Sequence, residues 1–282
     1  MAVTRKSRKR ARVEIAIVAP ACRLPEERAE RVLALAAARY GDRVALYFHP
    51  QCFLSDGHFA GDDAARAAAF LDVANDPRFS AVWFARGGYG SNRLGAGVYR
   101  ALAPAASKKT YFGYSDLGFM LARLHRLGVG RSVHGPMPSD IAREGGEAAV
   151  ARALDFLVDR ARDGLEPHAK GRVFAFNLTV LGAMLGTPWQ PDFDGARLMI
   201  EDVDEYHYRI DRALFHALSN PRLRRLAGVY AGRFSAIPEN DPPFQREAME
   251  IVRDWCDRSG VAFLGAADIG HDADNKIVPF GK

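Results

Sequence analysis

The chain has 282 residues, 48% of them hydrophobic and 26% charged, which is enough apolar material for one large domain or two modest ones and excludes a disordered polymer. No apolar run approaches the roughly 18 to 20 residues that a membrane-spanning helix needs, so no membrane partner is expected. The formal net charge is +5, but Arg5, Lys6, Arg8, Lys9, Arg10 and Arg12 crowd one short arm, and without those six the 33 remaining basic residues face 34 acidic ones. The basicity therefore belongs to residues 1–12, read as a flexible arm, and the body makes no case for specific nucleic-acid binding.

The arm followed by Ile15–Cys22 imitates a secretory signal, yet Glu14 and Pro20 bracket too short an apolar core, and a cytoplasmic protein is expected. From Val13 onward, short β-branched or aromatic runs alternate with helical stretches, the pattern of a parallel sheet covered by helices. Strands are predicted at Glu14–Val18, Arg43–Phe48, Ala81–Phe84, Tyr111–Gly113 and Ser132–Val133. Helices between them include Glu26–Tyr40, closed by Gly41, and Asp62–Ala74, capped by Asp62 or Asp63. This is an open, doubly wound parallel-sheet α/β domain over residues 13–160. Residues 161–171 lose apolar periodicity and read as a linker. A smaller mixed α/β domain fills 172–282. It has strands at Arg172–Phe176, Arg197–Ile200, Gly228–Ala231 and Ala262–Gly265, helices at Leu178–Leu185, Tyr208–Ala217 and Phe244–Arg258, and a tail at Val278-Pro279-Phe280.

Chemistry concentrates in Gly113-Tyr114-Ser115-Asp116, where a strand breaks into a helix with a serine at the junction. Such an elbow presents the hydroxyl at the carboxyl edge of the sheet and aims the first helical amides at a developing oxyanion. The competing reading makes Ser115 a helix cap on a non-catalytic ligand-binding protein. Arg86-Gly87-Gly88-Tyr89-Gly90 leaves the third strand as a loop whose backbone can face an anion, or as a plain tight turn. A serine needs a base and the base an orienting group. His134 leaves a strand on the same sheet edge as Ser115 and is a candidate base, His271 lies on a late polar loop, and either could instead be a structural histidine; Glu201, Asp202 and Asp204 follow a strand and are functional or simply solvated. Cys22, Cys52 and Cys256 are scattered without a Cys-x-x-Cys pair, and no His-Glu-x-x-His occurs, so neither metal nor cofactor is expected.

In order along the chain stand Arg86-Gly87-Gly88-Tyr89-Gly90, Gly113-Tyr114-Ser115-Asp116, His134-Gly135-Pro136-Met137, Asn177-Leu178, Glu201-Asp202-Val203 and Gly270-His271. This set resembles the LD-carboxypeptidases, serine peptidases that include the muramoyltetrapeptide carboxypeptidases of murein recycling and the hydrolases conferring immunity to microcin C. The likeness runs from Ile15 to Gly281. It implies a Ser115–His271–Glu201 triad, preferring His271 over His134, with an oxyanion hole at the backbone amides of Gly88 and Asp116, in a cleft between the two domains. It also implies a homodimer and a small peptide substrate: a murein tetrapeptide losing D-Ala, or alternatively a peptidyl or aminoacyl adenylate. Trp189 and Asn177 are the candidate substrate contacts. The sequence departs from the family at Ala175-Phe176, where two glycines are common, and at Leu117-Gly118, which replaces a more polar pair.

Overall fold

The computed structural model describes residues 12–281, so residues 1–11 of the basic arm lie outside it. In chain order the first half runs β1 (Val13–Val18), α1 (Glu26–Tyr40), β2 (Val44–Phe48), α2 (Asp63–Asn75), β3 (Ala81–Phe84), α3 (Ala96–Arg100), β4 (Thr110–Gly113), α4 (Gly118–Arg126), β5 (Arg131–His134) and α5 (Gly146–Asp159). All five strands are parallel, in the order β5-β4-β3-β1-β2. Ile15 to Val18 and all of β3 and β4 are buried, as strands covered by helices on both faces must be. The chain reverses its direction of winding between β1 and β3, and in open α/β sheets the crevice at the carboxyl ends of such strands is where ligands collect.

The second half runs β6 (Val173–Asn177), α6 (Leu178–Met184), β7 (Arg197–Val203), α7 (His207–Ser219), β8 (Gly228–Ser235), α8 (Ala248–Ser259), β9 (Phe263–Ala266) and β10 (Val278–Pro279). Strands β6 to β9 form a second sheet, parallel throughout and in chain order.

Three sequence expectations shift here. The tail, read as the plain end of the second domain, is a strand of the first sheet: β10 crosses back and pairs antiparallel with β5, while the Gly281 amide donates to the Val173 carbonyl, so the last residues fasten the two sheets together. Helix α8 starts at Ala248 rather than Phe244, because Pro242-Pro243 and a left-handed Gln245 interrupt the backbone before Glu247 and Glu250 cap the first turn. Strand β7 continues to Val203, with a register shift against β8 between Ile200 and Asp202, so Glu201 lies within the strand and not beyond it. Such an irregularity re-aims a side chain.

One apolar core runs through both halves, with Met120, Leu121 and Leu124 of α4 in the same cluster as Phe174, Phe176 and Leu181. Gly118 lets the helix come this close. A Cβ there would stand 3.1 Å from Val180 Cγ1 and 3.2 Å from Phe176 Cδ1, which accounts for glycine in place of a polar residue. Residues 161–171 are tied down as well: Leu165 bridges Ile277, and Glu166 is buried. Among the described residues no helix is long and apolar enough to cross a membrane.

Candidate active site

Strand β4 ends at Gly113, Tyr114 is extended, and Ser115 opens a single helical turn, Ser115–Leu117, that runs into α4. Ser115 has φ +59°, a left-handed conformation that costs a non-glycine residue about 1–3 kcal/mol. Burial of β4 and the packing of α4 hold it there, lifting the hydroxyl off the carboxyl edge of the first sheet.

From the second half, the loop after β9 carries His271 to this edge. Its Nε2 lies 3.0 Å from Ser115 Oγ, and its Nδ1 lies 2.6 Å from Glu201 Oε2. Glu201 is fully buried, and its other oxygen, Oε1, has no hydrogen-bond partner among the described residues, so the carboxylate is committed to the imidazole. Burial pulls the His271 pKa down, but the charge of Glu201 and its hydrogen bond outweigh burial, and the net direction is upward from the usual histidine value. A serine, an imidazole and a carboxylate so aligned can pass a proton from the hydroxyl to Nε2 as the oxygen attacks a carbonyl, with the carboxylate stabilising the imidazolium.

The glycine loop passes directly over the serine. A Cβ on Gly87 would stand 3.0 Å from both Cβ and Oγ of Ser115; one on Gly88, where φ is +101°, would stand 2.4 Å from Cys22 Sγ. Buried side chains fix the loop. The Asp116 carboxylate accepts from the Ser91 amide at 2.8 Å, the Ser91 hydroxyl donates to the Asp116 carbonyl at 2.7 Å, and the fully buried Arg66 donates to the Gly90 carbonyl at 2.8 Å. The elbow and the glycine loop are thus one hydrogen-bonded unit.

A second network holds the histidine loop. Tyr114 packs its ring against His271 at 4.9 Å and donates its hydroxyl to Asp140 at 3.0 Å; Asp140 pairs with Arg143 at 2.9 Å; and Arg143 donates to the carbonyl of His271 itself. Together these groups border a cavity of about 480 Å³, with Arg28 and Arg86 on its wall. Tyr114, Asp140, Arg143 and Arg28 were missed by sequence reasoning. The signal for Asp140 and Arg143 was the polar Ser139-Asp140 and Arg143-Glu144 after the fifth strand; Tyr114 stood unassigned inside the elbow motif, and Arg28 lay on the first helix with nothing local to mark it.

The remaining expectations fall elsewhere. His134, the rival base, is buried on Asn275 at 3.1 Å, and burial pushes its pKa down to about 4; it contacts Tyr114 and not the serine. Asn177 caps α6 through Val180 and donates to Asp202 at 2.6 Å, bracing the strand next to Glu201 without lining the cavity. Trp189 packs edgewise on Tyr99 and Phe119, away from the cavity wall. Among the described residues no group of three or more His, Cys, Asp or Glu side chains is arranged to hold a metal ion.

Comparison with known proteins gives residues 15–135 as a match to the LD-carboxypeptidase N-terminal domain and residues 170–282 as a match to the LD-carboxypeptidase C-terminal domain. The murein tetrapeptide carboxypeptidase of Pseudomonas aeruginosa is 29% identical over 242 residues, 80% of this chain and 78% of that protein. The crystal structure of muramoyltetrapeptide carboxypeptidase from Oxalobacter formigenes superposes with a TM-score of 0.80 at 25% identity, covering 95% of this chain and 93% of the other. The microcin C7 self immunity protein MccF, in complex with aspartyl sulfamoyl adenosine, shares the fold with a TM-score of 0.76 at 17% identity over 97% of both chains.

Proposed function

The chain belongs to the LD-carboxypeptidase family, and from that premise we propose that it is a serine L,D-carboxypeptidase that releases terminal D-Ala from a murein tetrapeptide. One observation carries the reading: Ser115, His271 and Glu201 are in hydrogen-bonding sequence at 3.0 and 2.6 Å, at an open cavity. Ser115 Oγ attacks the carbonyl of the diamino acid's L-centre while His271 Nε2 takes its proton. The amides of Gly88 and Asp116 receive the oxyanion, His271 returns the proton to the departing D-Ala amine, and water then hydrolyses the ester by the same route. The relatives from Pseudomonas and Oxalobacter, named for murein tetrapeptide and muramoyltetrapeptide, support the substrate. A cytoplasmic location and a homodimer are part of the proposal, the latter checked by light scattering.

Purified protein is incubated with murein tetrapeptide, and free D-Ala is followed by mass spectrometry. Release by the wild type and none by Ser115→Ala is the expected result. No release from any L,D-linked tetrapeptide, with turnover of an aminoacyl adenylate instead, would move the protein to the other branch.

A further inference from the structure

Two cations on the cavity wall have no role in the triad. Arg28, in the first turn of α1, donates to the Ser139 carbonyl at 3.4 Å, and Arg86, two residues past β3 at the start of the glycine loop, donates to the Arg23 carbonyl at 3.2 Å. Among the described residues neither has a carboxylate within 4.0 Å, whereas Arg143 on the same wall is neutralised by Asp140. Arg28 is disfavoured as a cation first by its own burial and next by the charge of Arg86, which places the two guanidiniums within each other's field. Asp140 and Glu27 offset part of that charge on Arg28 without contacting it, so two guanidiniums face one cavity with no carboxylate in ion-pair contact among the described residues, an arrangement suited to an incoming anion.

The position of Arg86 narrows the anion. It directly precedes Gly87, which abuts Ser115. In a peptide whose scissile carbonyl sits at Ser115, the carboxylate of the following residue is only about 4 Å further on, one residue step. Guanidinium groups match carboxylates through paired N–H donors. Resting on the carboxypeptidase reading, we propose that Arg28 and Arg86 form the receptor for the free terminal carboxylate of the substrate and so confine cleavage to the last residue. The same chemistry exists in the side-chain carboxylate of a diamino acid, and the test separates the two sources.

The kcat/KM of the wild type, Arg28→Gln and Arg86→Gln is measured on a tetrapeptide ending in D-Ala, on the same peptide ending in D-alaninamide, and on a Lys-containing peptide that lacks the side-chain carboxylate. The wild type should favour the acid over the amide by at least about 100-fold, and either variant should reduce that ratio below about tenfold. Arg86→Lys, which keeps the charge, should retain part of it. Calorimetric titration of Ser115→Ala with the acid and amide peptides reads the same preference without turnover. D-Ala release with no acid preference in turnover or binding would overturn the receptor. An arginine effect that tracks the side-chain carboxylate instead would overturn its assignment to the terminus. Binding preference without any D-Ala release would leave the receptor standing and refute the proposed reaction.

Discussion

Glu201→Gln keeps the size and shape of the buried side chain and removes only its charge. In the wild type Oε2 lies 2.6 Å from His271 Nδ1 within a fully buried pair. When the serine is attacking, Nε2 acquires a proton and the imidazolium faces the carboxylate. At an effective dielectric near 20 that attraction is roughly 4 kcal/mol, or about 10³-fold in rate. An amide can also donate its own N–H to Nδ1, which leaves the proton on Nε2 and disables the base, so the full loss in kcat/KM should be about 10³- to 10⁴-fold. The pH profile moves as well. Burial lowers the His271 pKa and Glu201 more than restores it, so the acid limb of the wild type lies above the usual histidine value of about 6.5. In the variant the two largest raising influences are gone, burial and Arg143 oppose only the weaker Asp140, and the limb falls to lower pH. Stability follows the same linkage. The folded pKa is raised, so the pair's contribution is full below the unfolded pKa and fades as pH rises through the folded one; urea denaturation should show a larger loss for the variant at pH 5 than at pH 9. A variant within tenfold of wild type, with an unmoved acid limb, would refute Glu201 as the orienting group.

His134 is the converse case. Its folded pKa of about 4 lies below the unfolded value near 6.5, so stability is lost as pH falls between them, by about 3 kcal/mol; urea titrations of His134→Gln should lack most of that loss. Gly88→Ala sets a Cβ against Cys22 Sγ in a left-handed backbone and should lower kcat by about 10²- to 10³-fold, and the double change Cys22→Ala, Gly88→Ala should not restore it, because the backbone conformation is unrelieved. Trp189→Ala should leave kcat/KM within about threefold while lowering stability by about 2–4 kcal/mol through lost packing on Tyr99 and Phe119, measured by thermal melting; a selective rise in KM would return Trp189 to the substrate site.

The strands and the elbow were legible because their signals are local. The run Ile15–Val18 is apolar because both faces are covered, and Gly113-Tyr114-Ser115 marks a strand turning into a helix whatever surrounds it. The choice between His134 and His271 was not legible from the residues. His134 leaves a strand on the serine's own sheet edge and His271 sits on a late polar loop, and what decides between them is long-range: β10 pairs with β5 and, with Asn275, encloses His134, while Arg143 anchors the loop that carries His271. The place of Glu201 within β7 was hidden for a similar reason, since the register shift exists only against β8. Arg28 and Arg86 are far apart in the chain, and only the β1–β3 pairing brings the segments after those strands together. Trp189 and Asn177 were singled out by residue type, and their partners, Tyr99, Phe119 and Asp202, show packing and capping instead.

The central claim is that Ser115 is acylated by the L-centre of an L,D-linked peptide. Wild-type protein mixed with murein tetrapeptide and quenched in acid within milliseconds should yield, by mass spectrometry, a peptide containing Ser115 heavier by the tripeptidyl group, with D-Ala released in a matching initial burst, and Ser115→Ala should show neither. D-Ala formed at full rate by Ser115→Ala, or a tripeptidyl adduct on any other residue, would contradict the account.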